Sequence, residues 1–384
     1  MYPIKKLQDC ATIIAGQSPE SKYYNSTGEG IPFFQGKADF GELYPKVRVY
    51  CSSPTKIAQY NDILLSVRAP VGPTNLSPGT VCIGRGLAAI RPDDSLDLKY
   101  LLYYFRYFET QLSAKGTGTT FKAINQKLIK NLEIPIPPLN EQSRIVSRID
   151  ELFSELDKAV DTLKTTKEQL EVYRQAVLKE IFDSVSTTSV HIKDVCLDIK
   201  VGIVIKPTQY YVSENGVPAF RNANVRRGYI NDTDWVMISK EGHQQNCRSE
   251  VHTNDVLISR SGANLGMASV VPARYNGYNA IDVVIAVPDI SKVIPEFLAQ
   301  YTNSPMGRAI VKKNERGAAQ GHLNVSAYAN LPIGVPDLQE QEKLVKQISD
   351  RLSVCDSIEK TVDTALAQAD ALRQSILKQM FNIL

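Results

Sequence analysis

The feature that most constrains this chain is an internal repeat. Residues 134–182 align without gaps with residues 333–381 at a constant offset of 199, and 17 of the 49 aligned positions are identical. The offset is about half of the 384 residues, so the sequence consists of two copies of one plan. The segments before each repeat are related only at scattered anchors, such as 30–35 with 216–221. Each half therefore has a variable part followed by a shared tail.

Both tails are predicted to be single long helices. Segment 139–183 contains no Gly or Pro, and its apolar residues recur at steps of three and four, as in Ile145, Ile149 and Leu152. The segment from residue 338 onward has the same pattern and also lacks Gly and Pro. A helix of this length extends roughly 65 Å. One apolar stripe on a long, charged helix requires a partner, so we expect an antiparallel coiled coil with an approximate twofold axis. The alternative is that each helix packs separately on its own globular part.

The variable parts are predicted to be β-rich with some helix, which makes the fold class α+β. Short apolar runs between turns predict strands at 62–67, 80–83, 87–90, 256–259 and 280–287. One helix is expected in each part, over 97–105 and over 294–301. The predicted domains, in chain order, are two recognition domains that alternate with two long helices: 1–138, 139–183, 184–337 and 338–384.

Charge is divided unequally between these parts. The chain has a net charge of only +3. Residues 139–183 hold ten acidic and seven basic side chains, and residues 339–381 hold seven and six. The positive excess therefore lies on the variable parts, where contact with phosphate groups would need it. No run of about 20 apolar residues occurs and the N-terminus lacks the apolar core of a signal peptide, so we expect a cytoplasmic protein.

Three short motifs imitate enzyme or metal sites, and we assign no catalytic, cofactor or metal site to any of them. Segment 84–89 fits GxGxxA but lies between two predicted strands, without the helix that binds phosphate. Segment 92–99 imitates a nuclease pattern, but Asp97 is better placed to cap the next helix. A third set has spacing that suits zinc but no evident fourth ligand: His243, Cys247 and His252. The sequence also lacks a P-loop.

Several segments resemble type I restriction-modification specificity subunits. Each tail begins with a family-like signature, Leu-Asn-Glu-Gln at 139–142 and Leu-Gln-Glu-Gln at 338–341. The variable parts contain segments similar to those of the family's recognition domains: 31–37, 62–72, 118–121, 217–222 and 255–262. The second half departs from the pattern at 317–322, where Gly-Ala-Ala-Gln-Gly-His replaces Gly-Thr-Thr-Phe.

The resemblance implies a DNA-reading subunit without catalytic residues of its own. Each recognition domain would read one half of a bipartite, asymmetric site in double-stranded DNA, and the helix pair would set the spacing between the halves. Two modification subunits would supply S-adenosylmethionine and methylate adenine, and restriction subunits would supply ATP- and Mg²⁺-dependent cleavage. Two other functions stay open: a two-domain scaffold that binds protein, and an enzyme that acts alone.

The candidate DNA contacts are residue types that read bases or bind phosphates. In the first variable part they are Gln35, Lys37, Arg68, Arg85, Lys115, Thr117, Thr119, Thr120 and Lys122. In the second they are Arg221, Asn222, Asn224, Arg226, Arg227, Arg260, Ser261, Asn264, Lys312, Lys313 and Arg316.

Overall fold

The computed structural model describes residues 2–117, 123–185, 187–315 and 322–382, without the side chains of 310 and 312–315. The chain forms two compact units. Unit 1 consists of Met1–Leu163 together with Asp363–Leu384, and unit 2 consists of Lys164–Val362. Unit 1 is therefore built from both ends of the chain, whereas unit 2 is continuous.

The described residues of unit 1 form three sheets and two helices besides the long ones. The first four-stranded sheet has the order β2-β10-β7-β8, a second sheet has the order β3-β5-β4-β9-β6, and β1 pairs with β11. The strands are β1 (Ile4–Lys6), β2 (Ala11–Ala15), β3 (Tyr24–Asn25), β4 (Ile31–Phe34), β5 (Tyr50–Cys51), β6 (Ile57–Ala58), β7 (Ile63–Ser66), β8 (Thr74–Leu76), β9 (Val81–Ile83), β10 (Leu87–Pro92) and β11 (Glu133–Pro135). The helices are α1 (Leu98–Ala114) and α2 (Gln126–Lys130), and the long helix α3 (Leu139–Asp183) follows.

Unit 2 repeats this plan. Its sheets have the orders β13-β20-β17-β18 and β14-β16-β15-β19, and β12 pairs with β21. The strands are β12 (Ser189–His191), β13 (Cys196–Val201), β14 (Tyr211–Val212), β15 (Val217–Phe220), β16 (Val236–Ile238), β17 (Val256–Ser259), β18 (Ala268–Val270), β19 (Asn279–Ala280), β20 (Val283–Pro288) and β21 (Pro332–Gly334). The helices are α4 (Lys240–Gln245), α5 (Pro295–Asn303), α6 (Pro305–Glu315), α7 (Val325–Ala329) and the long helix α8 (Leu338–Asn382).

The duplication thus extends into the globular parts, where the two sequences share only scattered anchors. Even the parallel pair within an otherwise antiparallel sheet occurs twice, as β4 with β9 and as β15 with β19. These observations confirm the predicted α+β class with two long helices. Among the described residues, no helix is both long and apolar enough to span a membrane.

Two details of the predicted secondary structure are wrong. The run 280–287 is two strands rather than one, because Asp282 has a positive φ of 52° and turns the chain from one sheet into the other. The expectation of one helix in each variable part also fails. Three of the additional helices, α2, α4 and α7, have only five or six residues and begin at side-chain caps, such as Asn125 accepting from the Leu128 amide, so periodicity does not detect them. The fourth, α6, has 11 residues and was missed.

The long helices pack against each other in both units, which confirms the predicted antiparallel arrangement. In unit 1, Ile149 and Phe153 near the start of α3 share a core with Leu377 and Phe381 near the end of α8. In unit 2, the end of α3 shares a core with the start of α8, through Val177, Ile181, Leu344 and Ile348. The two segments therefore run in opposite directions within each unit.

Reciprocal ion pairs accompany this packing. In unit 2, Arg174 of α3 binds Asp356 of α8 at 2.6 Å. In unit 1, Arg373 of α8 binds Asp157 of α3. Arg373 and Asp356 are the repeat equivalents of Arg174 and Asp157, each 199 residues further along. Half-exposed ion pairs add little stability. Because equivalent positions pair in both units with the roles of α3 and α8 reversed, the two helices have the same register in each unit.

A buried glutamine fixes the start of each long helix. The side-chain oxygen of Gln142 accepts from the Asp97 amide at 2.7 Å, and its nitrogen donates to the carbonyls of Ser95 and Pro137 at 3.0 and 2.8 Å. Asp97 is also the N-cap of α1, as predicted, because its carboxylate accepts from the Tyr100 amide. One amide side chain therefore ties α3 to the segment where α1 begins.

Gln341 makes the same three bonds in unit 2. Its oxygen accepts from the Ile294 amide at 2.8 Å, and its nitrogen donates to Lys292 and Pro336 at 2.9 and 2.8 Å. Both glutamines are fully buried. The last residue of the family-like signature at the start of each tail is therefore a structural clamp.

Replacing the clamp should destabilise unit 1. We expect Gln142→Ala to lower the free energy of unfolding by about 3 kcal/mol, because it leaves one buried amide and two carbonyls without their partner. Chemical denaturation followed by circular dichroism measures the change. Gln169→Ala, at an exposed position of the same helix, is the matched control and should change stability by less than about 0.5 kcal/mol. Equal effects of the two substitutions would contradict the clamp.

Candidate nucleic-acid interface

In unit 1, three candidate contacts lie on adjacent turns that backbone bonds hold together. The turn after β9 carries Arg85, and its Gly86 carbonyl accepts from the Val67 amide at 2.9 Å, next to Arg68. The third turn carries Gln35. A Cβ at Gly86 would lie 2.1 Å from the carbonyl oxygen of Gln35, so only glycine at position 86 allows these two turns to lie this close together. The side chains of Gln35, Arg68 and Arg85 are all exposed.

A fourth turn continues the same surface. The Val67 carbonyl accepts from the Ile124 amide at 3.0 Å, and Thr117 and Ala123 exchange two backbone bonds of 3.0 and 2.9 Å. This pairing brings Thr117 close to Arg68, which forms an isolated bridge with Ala123. Lys115, which precedes this turn, is exposed and lies 5.2 Å from the centre of the Phe108 ring. Of the remaining first-half candidates, three lie outside the described residues: Thr119, Thr120 and Lys122.

Lys37 lies two residues beyond Gln35, at the start of the short 3₁₀ helix Lys37–Asp39. It lines a cavity of about 340 Å³ together with Arg106, Glu109 and Arg373. Burial raises the pKa of Glu109, whereas Lys37 and Arg106 oppose that rise. The Lys37 side chain is exposed, so it stays a candidate for contact with DNA, although it also lines this cavity.

In unit 2, the candidates bond to one another. The side-chain oxygen of Asn222 accepts from the Arg260 amide at 2.6 Å and from the Ser259 hydroxyl at 3.0 Å. Its side-chain nitrogen donates to the Ser261 hydroxyl at 2.9 Å, and its carbonyl accepts from the Asn264 side chain at 3.0 Å. Asn222 is therefore the centre of an interlocked network rather than a free side chain.

An ion pair extends this network to the kink between β19 and β20. Arg260 donates to the Asp282 carboxylate at 2.7 Å and to the Leu323 carbonyl at 2.9 Å. The same carboxylate lies 3.5 Å from the Asn222 side-chain nitrogen. With its guanidinium held in this way, Arg260 positions the network, and a contact with DNA would have to compete with Asp282.

The contact predicted at Asn224 involves a side chain that the protein itself holds, and it stays a prediction. This residue is fully buried, and its side-chain nitrogen donates to the carbonyls of Asn231 and Thr233 at 3.1 and 2.9 Å. Its side-chain oxygen accepts from the Arg221 amide at 2.9 Å. These three bonds hold a loop together, and the buried side chain of Asn224 is not presented to a ligand in this conformation.

Other predicted contacts of unit 2 are also held by the protein. Arg221 donates to the Asp234 carbonyl at 2.6 Å, and Arg227 forms an ion pair with Glu171 of α3. Arg227 thus anchors its loop to the long helix, and its predicted contact with DNA stays a prediction. Arg226 is partly exposed. Lys312 and Lys313 belong to α6, although their side chains are not described, and Arg316 lies outside the described residues.

The potential zinc ligands do not assemble into a site. His243 and His252 lie on either side of Glu250, with nitrogen–oxygen distances of 3.7 and 3.6 Å. Within the described ranges, no group of three or more His, Cys, Asp or Glu side chains is arranged to hold a metal ion. His243 Nδ1 instead lies 3.2 Å from the side chain of Asn279.

Sequence reasoning missed the loop that follows the first strand of each four-stranded sheet. In unit 1, the Ser18 hydroxyl accepts from the Arg85 amide at 3.2 Å. In unit 2, the Ile203 carbonyl accepts from the Asp282 amide at 3.1 Å. Both loops therefore border the surfaces just described. The candidates were chosen only by polar side-chain type. The position of these loops after equivalent strands, β2 and β13, is the sequence signal that identifies them.

Comparison with known proteins gives the family. A family model described as the type I restriction modification DNA specificity domain matches residues 2–172 and again residues 178–368. The putative type I restriction enzyme MjaX specificity subunit of Methanocaldococcus jannaschii is 42% identical over 167 residues, which cover 43% of this chain and 38% of that protein. The EcoBI specificity subunit of Escherichia coli is 25% identical over 313 residues, 75% of this chain and 66% of that protein.

A solved structure is also similar. The S subunit of a type I restriction-modification system from M. genitalium matches with a TM-score of 0.42 and 16% identity over 99% of this chain and 96% of that one. By contrast, the chain spans only 38% and 66% of the lengths of the two relatives above. The family model matches most of the chain in two consecutive segments, one in each half of the repeat. The chain therefore belongs to the type I restriction-modification DNA specificity family, which confirms the predicted family.

Proposed function

We propose that this chain reads a bipartite, asymmetric site in double-stranded DNA for a type I restriction-modification complex. The observation that carries the proposal is that one chain holds two copies of the same sheet plan with different side chains at equivalent turns. Residues 1–138 and 184–337 are the two recognition domains, and each reads one half of the site. The long helices, 139–183 and 338–384, connect them and set the spacer.

The difference between the two surfaces supports an asymmetric site. In unit 1, Arg68 and Arg85 are exposed on adjacent turns and are available for phosphates or for guanine edges. In unit 2, Asn222 and Arg260 lie within a bonded network, which fixes the positions of the side chains around it. Two surfaces with different donors and acceptors select different base pairs, so the two halves of the site differ.

The long helices are suited to bind partner proteins as well as to space the domains. Each helix leaves large apolar side chains exposed in unit 2: Val172, Tyr173, Val354 and Ile358. Exposed apolar surface on a helix pair is typical of a protein contact. We assign these helices to the docking of two modification subunits, which would carry S-adenosylmethionine. Restriction subunits, which would use ATP and Mg²⁺, complete the complex.

Deleting the gene should erase one methylation motif. We expect methyladenine to disappear from a single bipartite sequence, because this chain alone supplies the specificity. Single-molecule sequencing of genomic DNA from cells with and without the gene gives the readout, and restoring the gene is the control. An unchanged methylome in a strain with intact modification subunits would contradict the DNA-reading function and favour a scaffold.

Exposed and interlocked candidates should respond differently to substitution. Arg68→Ala or Arg85→Ala should weaken DNA binding about tenfold and reduce the slope of log affinity against log salt by about 1, because one phosphate contact is lost. Stability should not change. Asn222→Ala should instead lower the free energy of unfolding of unit 2 by about 2 kcal/mol, because it removes bonds from buried partners. Fluorescence anisotropy at several salt concentrations, together with thermal unfolding, separates the two effects. A strong loss of stability in Arg85→Ala would contradict this division.

Lengthening both helices should lengthen the spacer. Seven residues inserted after Leu163 in α3 and seven after Val362 in α8 add two turns, about 10 Å, and keep the apolar stripe in phase. We expect a spacer about three base pairs longer and unchanged half-sites, since base pairs are 3.4 Å apart. Methylome sequencing gives the new motif. The same insertion in α3 alone is the control and should abolish activity, because the two helices then lose their register. An unchanged spacer in the double insertion would contradict the proposal that the helix pair sets the spacer length.

A further inference from the structure

The loop after β13, residues 202–207, carries an exposed apolar tip. Ile205 is 81% exposed, more than any other large apolar side chain in the described part of the chain, and its neighbour Val204 is exposed as well. Lys206 follows with its side chain exposed, and Pro207 begins a short 3₁₀ helix. Exposing an isoleucine in water is unfavourable unless it is covered in the working complex.

The base of this loop is held firmly. The Gly202 amide donates to the Val283 carbonyl at 2.9 Å, and the Ile203 amide donates to the Ala280 carbonyl at 2.8 Å. A Cβ at Gly202 would lie 2.4 Å from the Ala280 oxygen, so the loop base lies directly against the neighbouring strand. Ile203 itself is buried. The tip therefore projects from an anchored base.

The loop stands beside the candidate interface of unit 2. The Ile203 carbonyl accepts from the amide of Asp282, whose carboxylate binds Arg260 at 2.7 Å. The apolar tip begins at the next residue. The positive charge of Lys206 on its far side suits a phosphate neighbour.

The duplicated fold gives a second, independent reason to place this loop at DNA. In unit 1, the loop at 16–20 has the same anchors, because the Gly16 and Gln17 amides donate to Leu87 and Ile83 at 2.9 and 3.0 Å. That loop contacts the exposed candidate Arg85 through Ser18. Equivalent loops thus border the candidate interface in both units, but only the loop of unit 2 has an aliphatic tip.

We propose that Ile205, together with Val204, enters a groove of the second half-site and reads it by apolar contact with the bases. This inference rests on the proposed DNA-reading function. Aliphatic side chains recognise the methyl group of thymine or insert between base steps that unstack easily. Either contact disfavours base pairs that lack the methyl group or that resist unstacking. The loop at 17–20, Gln-Ser-Pro-Glu, has no exposed apolar side chain because Pro19 is buried, so only one half-site is read in this way.

The test compares two exposed apolar residues at opposite ends of the same strand. Leu197 is 71% exposed near the start of β13, and Ile205 lies beyond its end. Ile205→Ser and Leu197→Ser are each assembled as the full chain with the modification subunits. Binding is measured on the wild-type bipartite duplex and on duplexes with every single base-pair change in either half-site. Thermal unfolding checks that both variants are folded.

We expect Ile205→Ser to weaken binding of the wild-type site about tenfold and to flatten discrimination at one or two adjacent positions of the second half-site. The first half-site should be read as before, Leu197→Ser should match the wild type, and Ile205→Leu should keep most of the affinity. Replacing thymine by deoxyuracil at the affected position should reproduce the loss if the contact is to the methyl group. An increase in 2-aminopurine fluorescence at that position should instead mark insertion between bases.

Two results would overturn the inference. The first is that Ile205→Ser and Leu197→Ser give the same affinities and the same discrimination at every position. The second is that Ile205→Ser impairs assembly with the modification subunits while DNA discrimination is intact, which would make the tip a protein contact. Failure of the underlying function is recognised separately, because the wild-type complex would then prefer no bipartite sequence.

Discussion

The buried amide side chain at the start of each long helix is the contact on which the arrangement of each unit depends. Gln142 and Gln341 each bind three backbone groups, and each lies where a globular part meets its helix. An apolar side chain there would leave those groups unpaired, and a carboxylate could not donate to two carbonyls. The amide offers an acceptor and two donors at once, so it ties the start of the helix to the globular part through three bonds.

The division of labour within the molecule follows from this attachment. Paired helices with exchanged ion pairs, Arg174 with Asp356 and Arg373 with Asp157, keep one register in both units. The turns at the ends of the strands are free of that constraint and differ between the halves. The parts that fix the geometry are thus alike in sequence, whereas the turns differ. Under the proposed function these turns, and not the acidic helices, would contact the phosphates.

The sequence predicted the elements whose signal is periodic and local. The long helices, the apolar strands and the cap at Asp97 follow from spacing and from the absence of Gly and Pro. The candidate site was harder to predict, because a polar residue type does not reveal its partners. Asn224 and Arg85 were equivalent as candidates. Asn224 is buried and its side chain makes three hydrogen bonds, whereas Arg85 is exposed. Only the tertiary structure distinguishes a side chain that holds a loop together from one that the loop exposes to solvent.

The discontinuity of unit 1 has a consequence for synthesis. Its core joins Phe153 to Leu377 and Phe381, which are made more than 200 residues later. Unit 2 is continuous, from Lys164 to Val362. On the ribosome, the N-terminal unit therefore waits with an open apolar surface until the last helix has emerged, although domains usually fold in the order of their translation. If translation stopped between Val362 and Ile376, unit 1 would lack the part of its core that α8 supplies, whereas every residue of unit 2 would already have been made.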